Sequence, residues 1–232
     1  MLDPRIQKLA EVLIDHSVQL KAGEKVLIEA FDLPDASLVC CLIDLARQRD
    51  AIPIVNWKNN AIQRALLQHG NEATFALIGD VEARAMEQMD AYIGIRGAAN
   101  NNELSDVPSS QMGLYQEHVW HRVHLALRVP KTRWVVLRYP TASMAQSAHQ
   151  STEAFEDFYF RVCTADYPKL AHNQQPLVRR MEAAKQIRIT APDTDLTFSI
   201  DGIPVVPSHG RRNIPDGEVF TSPVRDSING VI

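Results

Sequence analysis

A glutamate beside a tight turn is the first candidate for chemistry in this sequence. Pro215, Asp216 and Gly217 are typical turn residues, and they place Glu218 directly before the apolar, strand-forming pair Val219–Phe220. A carboxylate between a turn and a strand is held rigidly. Most glutamates beside turns are solvated surface groups, however, so this local pattern leaves the role of Glu218 open.

Three histidines form a second candidate. His118, His121 and His124 follow Glu117 in the run EHVWHRVH. On a helix, His118 and His121 share a face and could bind zinc together with a carboxylate from another element. The spacing differs from the pair in an HExxH zinc helix, and His124 turns away from the shared face. A polar, partly exposed helix side is the competing interpretation.

Other common catalytic motifs are missing. The sequence contains neither the GxGxxG nor the GxxxxGK[ST] phosphate loop, and it has no GxSxG nucleophile motif. Cys40, Cys41 and Cys163 form neither a CxxC pair nor an even-numbered disulfide framework. We therefore interpret the cysteines as reduced thiols of a cytoplasmic protein.

Composition and charge exclude several classes of protein. The apolar share of 45% and the charged share of 22% are typical of globular proteins. The net charge is -4, and the basic residues are scattered, which argues against nucleic-acid binding. No apolar run is long enough for a membrane helix, and the N-terminus opens directly into an amphipathic pattern. We expect no nucleic-acid partner and no membrane partner.

Short apolar runs alternate with helical patterns through most of the chain. The runs with strand character are residues 25–31, 51–57, 91–96 and 134–138. The helical patterns are residues 6–22, 34–49, 61–69, 72–89, 109–127, 142–149, 151–163 and 177–185, and the fourth could break near Gly79. This alternation predicts an α/β fold with a doubly wound, mostly parallel sheet. Pro53 indicates that the second strand lies at an edge or begins irregularly.

The pattern changes at Gln186. Residues 187–190 and 196–200 alternate between apolar and polar, which predicts antiparallel strands. We therefore expect an N-terminal α/β domain over residues 1–185 and the beginning of a second, antiparallel β-containing domain over residues 186–232. So few strands cannot bury a core of their own, so we expect the chain to be truncated within this second domain.

Six segments together resemble a known family. They are residues 134–141, 144–146, 151–159, 195–200, 213–221 and 227–230. In this order they are similar to the thermophilic metallo-aminopeptidase family of the aminopeptidase T and aminopeptidase S type. The resemblance covers essentially the whole chain and is most specific from residue 134 to residue 230.

The resemblance implies a function and a metal ligand. It implies an N-terminal α/β domain, a C-terminal metallopeptidase domain with two zinc or cobalt ions, a homodimer, and release of N-terminal amino acids from peptides. Glu218 occupies the position of a metal-binding glutamate of the family. The other family ligands lie beyond Ile232, and no histidine of this chain matches them. Because two metal ions need several ligands, we expect this chain alone not to hold both ions and to be inactive.

Two other functions stay open. The α/β domain could be a non-catalytic dimerisation or interaction module. By analogy of fold alone, it could instead bind a small molecule at the carboxyl ends of strands 25–31, 51–57 and 91–96.

Overall fold

Five parallel strands form the main sheet of the computed structural model, which describes residues 3–231. The strands are β1 (Lys25–Phe31), β2 (Ile52–Lys58), β3 (Ala91–Arg96), β4 (Arg133–Arg138) and β8 (Asn213–Ile214). The order across the sheet is β2-β1-β3-β4-β8, and each neighbouring pair runs parallel. The sequence predicted the first four strands. It did not predict β8, which directly precedes the predicted turn at residues 215–217.

The burial of each strand follows its position in the sheet. Strands β1 and β3 are largely apolar and almost completely buried, as expected for central strands of a parallel sheet with both faces covered. Strand β2 is mostly exposed and, among the described strands, pairs with β1 alone. The edge position that Pro53 indicated is thus confirmed.

Helices connect the strands and cover both faces of the sheet. Helix α2 (Ser37–Gln48) packs against β1 and β2, while Leu27 and Tyr92 on the opposite face join an apolar cluster with residues of the other helices, such as Phe75 and Val119. The predicted doubly wound α/β fold is therefore confirmed. The helices of this region are α1 (Pro4–Glu11, continued as a π-helix over Val12–Ser17), α2 (Ser37–Gln48), α3 (Asn60–His69), α4 (Glu72–Glu87), α5 (Ser109–Tyr115, continued as a π-helix over Gln116–Arg128), α6 (Val129–Lys131), α7 (Ala142–Ser147) and α8 (Thr152–Cys163).

Side-chain caps fix the starts of several helices. The Asn59 side chain accepts a hydrogen bond from the Ile62 N–H at the start of α3, and Ser151 accepts one from the Ala154 N–H at the start of α8. Helix α4 runs without a break through Gly79. Among the helices of residues 3–231, none combines the length and apolarity needed to cross a membrane.

The structure divides into two compact units. The first runs to Ala165 and includes Arg211–Pro215, and the second comprises Asp166–Gly210 and the described residues from Asp216 onward. The domain boundary that we predicted lies after residue 185. In the structure, helix α9 (Tyr167–Ala183) groups with the second unit, whereas Arg211–Pro215 groups with the first.

The second unit contains the predicted antiparallel strands. Strands β5 (Gln186–Ala191), β6 (Thr194–Ser199) and β10 (Asn229–Val231) form a sheet in the order β10-β6-β5. Strands β7 (Val206–Pro207) and β9 (Val219–Phe220) form a separate antiparallel pair. This pair carries Glu218 at its end.

Candidate functional site

The backbone of Glu218 is fixed by the β7–β9 pair. Glu218 directly precedes β9, and its carbonyl oxygen accepts a hydrogen bond of 2.8 Å from the Ser208 N–H, which directly follows β7. The side chain of Glu218 is exposed to solvent. The structure therefore places an accessible carboxylate on a hydrogen-bonded main chain.

Gln174 of helix α9 also donates hydrogen bonds to the backbone beside the β7–β9 pair. Its Nε2 donates to the Ser208 carbonyl oxygen at 2.8 Å and to the Glu218 carbonyl oxygen at 3.1 Å. The side chain is buried. Gln174 was not predicted as a functional residue. The residues around it in the sequence do not indicate a contact with the β7–β9 pair, which is distant along the chain.

The turn before Glu218 is closed by Asp216. The carboxylate of Asp216 accepts hydrogen bonds from the Gly210 N–H at 2.8 Å and from the Gly217 N–H at 3.1 Å. Gly210 has a φ of +83°, and a Cβ there would lie 2.7 Å from the Tyr167 ring, so this position requires glycine. Asp216 thus stabilises the turn, as the turn-forming sequence predicted, and leaves Glu218 as its exposed acid.

Glu218 is the candidate metal ligand among the described residues. Within residues 3–231, no group of three or more His, Cys, Asp or Glu side chains is placed to hold a metal ion. Glu218 can supply a carboxylate oxygen, which zinc accepts as a ligand. A two-metal centre needs more ligands than these residues bring together.

The three candidate histidines lie on the π-helix Gln116–Arg128. His118 is partly exposed and its Nε2 lies 3.8 Å from the Glu72 carboxylate, whereas His121 is exposed and His124 is buried. His124 thus turns away from the other two, as its spacing indicated. In the described part of the chain, no set of three possible ligands forms around His118 and His121.

His124 has a structural environment. Burial lowers its pKa to about 4; the charge of Glu29 opposes this shift, and that of Arg128 reinforces it. The Arg128 Nε donates to the His124 Nδ1 at 3.0 Å. At neutral pH, His124 is therefore an uncharged hydrogen-bond acceptor inside the domain.

A buried ionic cluster surrounds Glu29 of β1. Glu29 is 2% exposed, and its carboxylate lies 2.9 Å from the Lys58 Nζ and 3.3 Å from the Arg96 guanidinium. The Tyr92 hydroxyl donates to it at 2.6 Å, and Lys58 also pairs with Glu82 at 2.7 Å. The sequence contained one signal for this cluster, because a glutamate in an apolar strand needs a partner. Each charge has an opposite neighbour, so removing one partner would leave a buried charge unpaired.

A cleft of about 650 Å³ opens at the carboxyl ends of the parallel strands. Its walls include Asp32 after β1, Asn59 after β2, Asn100 after β3 and Thr141 after β4. Open α/β sheets bind ligands at this edge. Small-molecule binding at this edge stays a prediction from fold analogy.

Comparison with known proteins gives a family and a fold. A model of the thermophilic metalloprotease (M29) family matches residues 2–232. AmpT from Thermus thermophilus is 20% identical with a TM-score of 0.79, and the match covers 100% of this chain and 64% of that chain. 2,5-Dihydroxypyridine dioxygenase from Pseudomonas putida KT2440 is 12% identical with a TM-score of 0.51, covering 97% of this chain and 57% of that chain.

At these identities the structural likenesses show the fold alone. This chain spans 64% of the length of AmpT and 57% of the length of the dioxygenase. None of the curated proteins compared with the chain matches it.

Proposed function

The chain belongs to the thermophilic metalloprotease (M29) family, and we propose that it functions in the metal-dependent release of N-terminal amino acids from peptides. The family match across residues 2–232 supports the metallopeptidase class. The order of the sequence segments that resemble the aminopeptidase T and S type supports the preference for N-terminal residues. Peptides are then the substrates, and we further propose a homodimer located in the cytoplasm.

The placement of Glu218 is the observation that carries this proposal. Its carboxylate is exposed, and its carbonyl oxygen is held by the Ser208 N–H and by the Gln174 side chain. We propose that Glu218 is a ligand in a centre of two divalent ions, zinc or cobalt. On this proposal, residues 186–232 begin the metallopeptidase domain.

We also propose that this chain alone is inactive. Within residues 3–231, no group of three or more His, Cys, Asp or Glu side chains is placed to hold a metal ion. Several carboxylate and imidazole ligands are needed to hold two ions and activate water. On this proposal, these residues alone do not hold both ions and do not hydrolyse peptides.

Metal titration and a turnover assay on the purified chain test the proposal. We expect weak Co²⁺ binding by calorimetry, because a single protein carboxylate contributes, and loss of that binding in Glu218→Gln. The matched control Glu182→Gln, at an exposed glutamate of α9, should bind Co²⁺ like the wild type. We expect no hydrolysis of an aminoacyl arylamide with zinc or cobalt. Equal Co²⁺ binding by Glu218→Gln would refute the ligand role, and turnover by the chain alone would refute its inactivity.

An interaction module is the second candidate function, and the edge strand β2 favours it. Ile52, Ile54 and Trp57 are 49%, 42% and 48% exposed. The Ile52 N–H donates inward to the Glu24 carbonyl, so the alternation of a parallel strand turns the N–H groups of Val55 and Trp57 outward. An exposed apolar edge of this kind is a template for pairing with another chain.

Amide hydrogen exchange shows whether strand β2 pairs with another chain or stays unpaired. Pairing through β2 would protect the Val55 and Trp57 amides, and raising the protein concentration would slow their exchange further. Fast exchange of both amides at every concentration, with slow exchange in β1, would exclude an interaction through this edge.

A further inference from the structure

The cleft at the carboxyl ends of the strands lies at the switch point of the sheet. The chain places β2 on one side of β1 and β3 on the other, so the switch point lies between β1 and β3. Asp32 directly follows β1, Asn100 lies in the loop after β3, and both line the cleft. Open α/β sheets bind ligands at this point, and the volume of about 650 Å³ is typical of small-molecule sites, which span about 300–1,000 Å³.

The charges of the cleft favour a positively charged ligand. Its charged wall residues are the carboxylates Asp32, Glu103 and Glu156. Among the described residues that line the cleft, none is a lysine, an arginine or a histidine. Phosphate groups, which helix N-termini bind in many sheets of this kind, would be repelled by these carboxylates. The cleft is therefore suited to a cation.

A neighbouring cavity has the same negative environment. Asp3, Asp35 and Glu156 line it together with Tyr139. Burial is the main cause that raises the pKa of Tyr139 to about 12, and the charges of the three carboxylates add to it, whereas the charge of Arg5 opposes them. Arg5 bonds to Asp3 at 2.7 Å and lies 4.0 Å from Glu156. A single arginine thus leaves this end of the sheet negative.

Asp32 is held firmly and keeps one carboxylate oxygen free. Its Oδ1 accepts hydrogen bonds from the Asn59 Nδ2 at 2.7 Å and from the Asn60 N–H at 3.0 Å. Its own N–H donates to the Lys58 carbonyl oxygen at 3.1 Å. No described residue donates a hydrogen bond to its Oδ2. An ammonium group in the cleft would give this oxygen a charge-assisted hydrogen bond.

Trp57 indicates an organic cation instead of a metal ion. Its side chain is 48% exposed and lines the cleft. A tryptophan ring attracts ammonium groups through a cation–π interaction, and apolar wall residues such as Leu33 and Pro140 can contact a hydrocarbon chain. Within residues 3–231, no group of three or more His, Cys, Asp or Glu side chains is placed to hold a metal ion.

We propose that this cleft binds a small organic amine. The ammonium group pairs with the Asp32 carboxylate, and the hydrocarbon part packs against Trp57. Glu103 and Glu156 supply negative charge for a second ammonium group. Binding at this cleft does not depend on a metal-binding role of Glu218.

Three probes of equal chain length test the class of ligand. At neutral pH, diaminobutane carries two ammonium groups, butanediol is uncharged and succinate carries two negative charges. We expect diaminobutane to shift the amide NMR signals of Asp32, Asn59 and Asn100 in a saturable way at constant ionic strength. Butanediol and succinate should leave these signals unchanged. Equal shifts with butanediol, stronger shifts with succinate or no saturable shift with diaminobutane would overturn the proposal.

Asp32→Asn tests the residue that binds the ammonium group. The asparagine Oδ1 can accept the same two hydrogen bonds from Asn59 and Asn60, so we expect this variant to fold. Its affinity for diaminobutane should fall about tenfold, because a hydrogen bond to a charged group is lost. The matched control Asp44→Asn, at an exposed position of α2 outside the cleft, should bind diaminobutane like the wild type.

Wild-type affinity in Asp32→Asn would overturn the proposal. Should Asp32→Asn not fold, Glu103→Gln takes its place in the same comparison. We expect Glu103→Gln to weaken diaminobutane binding about twofold to fivefold, because it removes one partly exposed charge from the cleft. Wild-type affinity in that variant would likewise overturn the proposal.

Discussion

At the scale of single residues, the charge of Glu29 is compensated by cations from both neighbouring strands. Lys58 comes from β2 and Arg96 from β3, one on each side of β1. Burial alone would raise the pKa of Glu29, but the charges of Lys58 and Arg96 and hydrogen bonds from Lys58 and Tyr92 lower it to about 2. The ionised form is therefore the stable one in the folded domain.

Replacing Glu29 should lower the stability of the folded protein. With Glu29→Gln, Arg96 loses its carboxylate and Lys58 keeps only Glu82, so we expect the free energy of unfolding at pH 7 to fall by about 3 kcal/mol. Urea unfolding measures this. Glu87→Gln, at an exposed glutamate of α4, is the control and should change stability by less than about 0.5 kcal/mol.

The pH dependence follows from the direction of the pKa shift. The pKa of Glu29 is about 2 in the folded state against an ordinary value of 4.5. Its contribution is complete above the ordinary value and is lost as the pH falls toward 2. The stability difference between the wild type and Glu29→Gln should therefore shrink between pH 4.5 and pH 2. A difference that stays constant over this range would contradict the account.

The sequence predicted single residues only where their role is local. The turn containing Asp216 depends on neighbours in the chain, and the structure has it as predicted. The helix caps Asn59 and Ser151 are local in the same way. Glu29 and Gln174 depend on partners that only the folded chain brings near. A buried glutamate or glutamine needs a hydrogen-bonding or charged partner, but the sequence does not show which residue that partner is.

At the scale of elements, helix α4 and the π-helix Gln116–Arg128 cross closely at Gly79. A Cβ at Gly79 would lie 2.0 Å from the His118 carbonyl oxygen, a main-chain atom that cannot rotate away. The glycine that suggested a break in the sequence instead permits the close contact of two continuous helices. The sequence could not show this, because the facing backbone is remote along the chain.

Alanine substitutions at two helical glycines test this contact. We expect Gly79→Ala to destabilise the protein by about 2 kcal/mol, since the helices must separate to admit a methyl group. Gly113 lies in α5 with open space around its Cβ position, so Gly113→Ala should be neutral or stabilise by up to about 1 kcal/mol. Thermal unfolding measures both. Equal effects of the two substitutions would show that the crossing tolerates a side chain.

Most long elements were predictable, and two kinds were not. Hydrophobic patterns located β1 to β4 because long runs average over many side chains. Strand β8 has two residues and gives no pattern. Helix α9 begins at Tyr167, whereas the sequence predicted a start at residue 177. The predicted start was too late because Pro168 lies in the first turn and Pro176 lies inside the helix, and a proline inside a helical pattern usually indicates a helix end.

At the scale of the whole molecule, the alternation of strands and helices predicted the α/β fold and its parallel sheet. In the order β2-β1-β3-β4 every neighbouring pair runs parallel, so each connection crosses from one end of the sheet to the other. Membership of the M29 family agrees with the resemblance of the ordered segments. Within residues 3–231, no group of three or more His, Cys, Asp or Glu side chains is placed to hold a metal ion, so the ligand role of Glu218 stays a proposal.

The most direct measurement of the central claim locates a bound metal ion. Mn²⁺ added to the isotope-labelled chain should broaden the amide signals of Glu218 and Val219 before those of other residues, and Glu218→Gln should remove this selectivity. Selective broadening at another site, or the same broadening in Glu218→Gln, would show that Glu218 is not the ligand that we propose.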